Sequence, residues 1–166
     1  MKIIILFLSI SVASGMLLTN VYTSIVDAAS WGSDIPRSIE AARQYFRHAN
    51  PGNFFRIFSP VNQLLALVTL IVFWKSSPSI RLYLVIALVF YGLGELMTFS
   101  YFYPRNAILF NSAPLDDVSL LKKTWAEWNT MNWVRSLVLV IGLFFSFWAL
   151  HNIYSLPIRM QQLNSK

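Results

Sequence analysis

The sequence predicts an all-α fold: an integral membrane, antiparallel four-helix bundle with a short extra helix in the first long loop. Three observations predict it. Of 166 residues, 56% are hydrophobic and only 12% charged, whereas soluble domains carry roughly 25% charged residues. Mean hydropathy is +0.55 and 16% of the residues are aromatic, more apolar surface than one domain of this length hides in its own core. The apolar residues also come in four runs, each near the 20 or so residues that a spanning helix needs. In lipid, runs of that length satisfy their backbone groups as helix. The same composition excludes a disordered chain, and the absence of cysteine excludes a disulfide scaffold or a zinc–cysteine domain. The net charge of +6 does not mark a nucleic-acid binder, because the basic residues sit at the ends of the apolar runs and form no single stripe.

A single transmembrane domain over residues 1–166 is expected, with spans at about 3–29, 54–74, 80–103 and 131–151. The first run follows Lys2 and contains Ser11-Val12-Ala13-Ser14-Gly15, which resembles a signal peptide with a small-residue cleavage site. Its apolar character continues past Gly15 through Ile25-Val26, so a retained signal anchor is expected. Pro36 and Asn50-Pro51-Gly52 bracket a short helix at about 37–48. Ile39, Ala42, Tyr45 and Phe46 fall on one of its faces, so it lies on the membrane surface or packs across the bundle mouth. Lys75-Ser76-Ser77-Pro78-Ser79 makes a tight turn between the second and third spans. Asn111-Ser112-Ala113-Pro114 reads as a loop, after which Asp116-Asp117 caps a helix running into the fourth span. Trp31, Trp74, Tyr103, Trp133 and Tyr154 lie near span ends, where amphipathic rings favour the interface.

Polar residues inside spans are costly and usually face the bundle interior. On the first span Asn20, Ser24, Asp27 and Trp31 make one stripe at α-helical spacing. On the third, Tyr91, Glu95, Thr98 and Phe102 make another, with Gly92 and Gly94 allowing close packing. Trp125, Trp128, Asn132 and Arg135 share a face of the fourth, and the second adds Asn62 and Gln63 after Pro60. In an up-down-up-down arrangement most of these groups gather in one half, with Glu95 nearer the midplane. The other half is nearly pure hydrocarbon. A polar pocket beneath the two longer loops is expected, roofed by residues 37–53. Its candidate catalytic residues are Asp27, Glu95, Asn132 and Arg135; its candidate substrate-binding residues are Asn20, Asn62, Tyr91, Asn106, Trp125 and Trp128.

A plainer account covers the same residues. Arg135 with Glu95 or Asp27 is then a buried ion pair that fixes helix register. The asparagines are interhelical hydrogen-bond glue worth about 0.6 kcal/mol each. His48 and His151 lie on opposite sides, and no metal site is expected. No nucleophile–histidine–acid order, phosphate loop or dinucleotide fingerprint is present.

Three stretches are similar to the anthrone oxygenase-like family, small four-helix membrane proteins grouped as domain of unknown function 1772. Asn50-Pro51-Gly52-Asn53-Phe54-Phe55-Arg56-Ile57-Phe58 resembles the Asn-Pro, Phe and Phe run that opens the family's second helix. Tyr103-Pro104-Arg105-Asn106 resembles its Pro-x-Asn, and Trp128-Asn129-Thr130-Met131-Asn132-Trp133-Val134-Arg135 its Trp, Trp-Asn and Arg pattern. Met131 stands where the pattern has a second Trp, and Trp133 where a His often follows the Asn. The resemblance implies oxidation of polycyclic anthrones to anthraquinones with molecular oxygen and no cofactor. The residues allow that chemistry, with Asp27 or Glu95 as the base and Asn132 and Arg135 as donors to an enolate oxygen. The expected partners are membrane lipid and a lipophilic aromatic or quinone-like small molecule, and no nucleic acid. The other reading is a non-enzymatic binding or transport protein, or an accessory subunit, whose buried polar residues are structural.

Orientation rests on Lys and Arg in short loops. Lys2, Lys75, Arg81, Arg159 and Lys166 share one side with no acid among them, while Arg37, Arg43, Arg47, Arg56, Arg105, Lys122 and Lys123 of the other side have acidic neighbours. Raw count favours the second side, and position at Lys2 and beside short loops favours the first. Both termini are expected in the cytoplasm of a cell-membrane protein.

Overall fold

The computed structural model describes residues 2–112 and 114–164, with side chains described as far as residue 155 except that of Ser112. Four helices among them are long and apolar enough to cross a membrane: α1 (Lys2–Gly32), α3 (Pro51–Val72), α4 (Pro78–Asn111) and the membrane-crossing part, Val118–Ser155, of α5 (Val118–Asn164). The short helix α2 (Arg37–Tyr45) lies between the first two. The described residues contain no strand, and the chain is a helical membrane protein.

Local chemistry sets the helix ends. α3 opens with Pro51 at its first position, where the missing N–H costs nothing, and Asn50 before it is extended. Ser77 accepts a hydrogen bond from the Ile80 amide and starts α4. Asp117 accepts from the Leu120 amide at 3.1 Å and starts α5, as its place in the sequence predicts.

Three apolar layers show the helices running antiparallel. Leu6, Leu70, Phe73, Ile80, Leu84 and Ala149 form one layer, joining the start of α1, the end of α3, the start of α4 and the end of the crossing part of α5. Ala13, Ala66, Ala87, Tyr91 and Leu139 form the middle layer. Trp31, Ile39, Phe102, Leu109, Leu121 and Trp128 form the third, at the far end. α1 packs on α3 and α5, and α4 packs on the same two.

The spans differ from expectation in length. α4 does not stop near residue 103 but continues past Pro104 to Asn111. A π turn at Thr98–Phe102 precedes Pro104, and there the Tyr103 amide bonds Thr98 O. The helix already departs from α pairing where the proline lacks its N–H, so the ring is accommodated. Of the loop read at 111–114, Ala113 lies outside the described residues, as do the side chains of Arg159 and Lys166 used for orientation. Trp74 and Tyr154 are exposed near the ends of the spans. Tyr103 and Trp133 are exposed too but lie within α4 and α5, because both helices extend beyond the expected spans, and Trp31 is buried in the third layer.

α2 takes the second of its two expected positions, across the mouth. Ile39 and Ala42 are buried, Phe46 packs beside them, and Tyr45 points away, 82% exposed. Arg43 fastens the helix by donating from Nε to Leu109 O at 2.8 Å and from Nη2 to Ile108 O at 3.1 Å. The Ser38 hydroxyl bonds Trp31 O, tying its start to the end of α1.

Candidate functional site

Two features of backbone geometry place the site. A π turn at Thr23–Asp27 in α1 and another at Thr98–Phe102 in α4 each add a residue to a helical turn and rotate the rest of the helix about its axis. On α1 the inward positions are therefore Asn20, Ser24, Ala28 and Trp31, all buried. Strict α spacing assigns Asp27 to that face. The extra residue gives the place to Ala28, and Asp27 is turned aside, half-buried and bonded to Thr23.

Arg135 is the centre of the polar cluster. Its side chain is buried, yet no ion pair joins it to Glu95 or Asp27; the ion pairs among the described residues are Asp34–Arg37 and Glu127–Arg105. Its partners are dipoles. Nε donates to Asn20 Oδ1 at 2.9 Å, Nη2 donates to the same oxygen and to Asn132 Oδ1 at 2.7 Å, and Nη1 reaches Thr98 Oγ1 at 3.4 Å. Phe102 lies under the guanidinium at 4.0 Å and Phe55 at 5.2 Å, each offering a π face. The asparagines are fixed in turn. Asn20 donates to Ser136 Oγ at 2.7 Å and to Asn132 O at 3.2 Å, and Asn132 donates to Ser24 Oγ at 2.6 Å and to Asn20 O at 3.2 Å. α1 and α5 are thus laced together by a reciprocal amide pair, with the cation as its third member.

In front of this cluster is a cavity of about 850 Å³, beneath the chain from Arg43 to Gly52. Small-molecule sites occupy roughly 300–1,000 Å³. Arg135, Thr98 and Glu95 line its floor, and Trp31, Phe55, Phe102, Phe110 and Trp128 make aromatic walls. The wall rings meet edge to face, Trp31 on Trp128 at 5.2 Å and Phe102 on Trp128 at 5.5 Å. Trp128 Nε1 donates to Asn106 Oδ1 at 2.8 Å, which orients both along the wall. Glu95 accepts a hydrogen bond from the Ser59 hydroxyl, and its charge acts on Arg135 through space.

Of the residues read from the sequence, Glu95, Asn106, Trp128 and Arg135 line the cavity, and Asn20 and Asn132 stand behind Arg135 and hold it. The other four do not line it. Asp27 is rotated away. Tyr91 lies in the middle layer, its hydroxyl 3.0 Å from Ser146 Oγ, because it is more than one helical turn from Glu95 towards the hydrocarbon end. Trp125 clamps α5 to α1, donating from Nε1 to Ala28 O at 2.7 Å over Gly32. Asn62 is buried with Oδ1 unpartnered. Trp133 is exposed and outside the lining. Several contributors to the lining lie outside the set read from the sequence, among them Ser59, Phe55, Arg47 and Arg56. The spacing of Ser59, Asn62, Ala66 and Thr69 on α3 marks a buried face and is the signal that finds Ser59. Among the described residues no three His, Asp or Glu side chains converge.

Fold and site together define a multi-span helical membrane protein with a ligand-sized cavity at one end of its helices. The chain belongs to the anthrone oxygenase family, whose sequence model matches residues 53–145. The match covers α3 from Asn53, all of α4 and α5 as far as Phe145, and so includes Ser59, Glu95, Trp128 and Arg135. No curated protein and no solved structure matches the chain.

Proposed function

We propose that the protein is a cell-membrane oxidoreductase that takes a lipophilic polycyclic aromatic molecule into the cavity and oxidises it with molecular oxygen. The observation that carries this reading is that one aromatic-walled cavity presents both a carboxylate, Glu95, and a guanidinium, Arg135, with no ion pair between them. Paired, each would mask the other. Unpaired, they supply a base and a cationic donor to the same bound molecule, and family membership supports the choice of chemistry. The cytoplasmic placement of both termini is part of the proposal.

On an anthrone-type substrate, Glu95 removes a proton from the acidic ring carbon, leaving an enolate whose oxygen accepts from Arg135. Molecular oxygen takes the electrons and bonds to that carbon, and the proton returns to give a hydroperoxide. Loss of water yields the quinone, so one substrate and one dioxygen become one quinone and one water. Asn20 and Asn132 act as positioning residues, because they touch Arg135 and not the cavity.

The test is the full chain reconstituted in lipid with an anthrone, following oxygen uptake and quinone absorbance in parallel. Glu95→Gln keeps the shape and removes the base, and it is expected to lower turnover about 10²–10⁴-fold while substrate still binds. Tight binding without oxygen uptake by the unsubstituted protein would overturn oxidation and leave a non-enzymatic binding protein.

A further inference from the structure

We infer that Arg47 and Arg56 form a recognition site for an acidic substituent at the cavity mouth, so that the ligand is an amphiphilic aromatic anion with its rings inward. This rests on the reading that the cavity holds an aromatic molecule, and adds the chemistry of the ligand's other end.

Four arginines line the cavity against a single carboxylate, Glu95. Two of the four are spoken for within the fold. Arg135 is held by Asn20, Asn132 and Thr98, and Arg43 by the carbonyls of Ile108 and Leu109. Glu95 is held by Ser59. Arg47 and Arg56 are exposed, and their guanidinium groups meet no partner among the described residues. An exposed arginine on an ordinary surface is simply solvated. These two stand at the rim of an apolar-walled hollow, where low-dielectric walls focus their field onto whatever enters. Arg47 follows α2 and Arg56 lies in the second turn of α3, joined by the Asn50-Pro51-Gly52 connection that itself lines the cavity. A planar guanidinium takes a carboxylate through two parallel N–H donors. With aromatic walls inside and cations at the rim, the complementary molecule is apolar at one end and anionic at the other.

The experiment uses the full chain in dodecyl maltoside, a neutral detergent without phosphate. Anthracene-2-carboxylate and 2-anthracenemethanol are titrated separately and followed by quenching of tryptophan fluorescence. The carboxylate is expected to bind roughly tenfold tighter than the alcohol, and Arg47→Gln/Arg56→Gln to bring it down to the alcohol's affinity. Equal binding of the two probes, or a preference that survives the double substitution, overturns the proposal and leaves the cavity reading intact. Binding of neither probe overturns the cavity reading and the proposal with it. A third titration with dioctanoyl phosphatidylglycerol separates the lipid source. Saturable lipid binding that the double substitution removes, without any preference between the aromatic probes, assigns the arginines to a headgroup and overturns the proposal.

Discussion

Arg135 shows how a permanent cation is kept inside a membrane helix without a direct ion pair. A charge at the bilayer centre costs about 2.5–3.5 kcal/mol on insertion scales, and here amide oxygens from two helices and two aromatic faces offset it. Asn20 carries most of that task, so Asn20→Ala takes the shared acceptor from Arg135 Nε and Nη2 and the donor from Ser136 Oγ and Asn132 O. Each unsatisfied buried group costs about 1–3 kcal/mol. A clear loss of thermal stability is expected in detergent, far more than for Asn106→Ala, whose partner Trp128 keeps its apolar contacts. Equal losses for the two variants would contradict this account. At this scale the sequence was a good guide to membership: α spacing brought Asn20, Asn132 and Arg135 to facing surfaces. It was a poor guide to pairing. Opposite charges suggested an Arg135 ion pair, whereas local geometry gave the guanidinium to Asn20, a choice that composition and spacing do not encode.

Among the elements, the helices were legible from apolar run length, and their phase was not. A π turn leaves no mark in hydropathy, so strict α spacing puts Asp27 on the inward face of α1 where Ala28 stands, while Ser24 and Trp31 keep their expected places. Glycines were legible only in part. Gly94 faces Leu139 at van der Waals distance, while Gly92 meets nothing within 4 Å of an added Cβ. The structure distinguishes two further glycines. A Cβ on Gly32 would fall 2.2 Å from the Trp125 ring, and one on Gly142 would fall 2.7 Å from Tyr91. Both rings are anchored by hydrogen bonds, so neither gives way freely. Gly32→Ala and Gly142→Ala are each expected to destabilise by about 1–3 kcal/mol. Gly15, with open space around it, is expected to tolerate Ala or gain up to about 1 kcal/mol. Thermal unfolding of the three variants side by side checks the order.

Across the whole molecule, polarity is divided along the helix axis. The Leu6–Ala149 layer is apolar, the middle layer holds Tyr91 with its Ser146 partner, and the cavity occupies the third end beneath α2. The sequence foretold this division, because in an up-down arrangement polar residues late in odd spans and early in even ones meet. It did not foretell the volume, which depends on the aromatic walls that Phe55, Phe102 and Trp128 contribute. Since the amino end and the α3–α4 turn lie at the apolar end, the cavity opens to the opposite face. With both termini in the cytoplasm, as proposed, a cysteine at Arg47 is expected to react with a membrane-impermeant maleimide added outside intact cells, and one at Ser76 to stay unlabelled. The native chain has no cysteine to confuse the readout. The reverse labelling would invert the topology. More than orientation hangs on that result. A hollow at one end of the helices meets the compartment which that end faces, so the orientation decides which pool of dissolved molecules it samples.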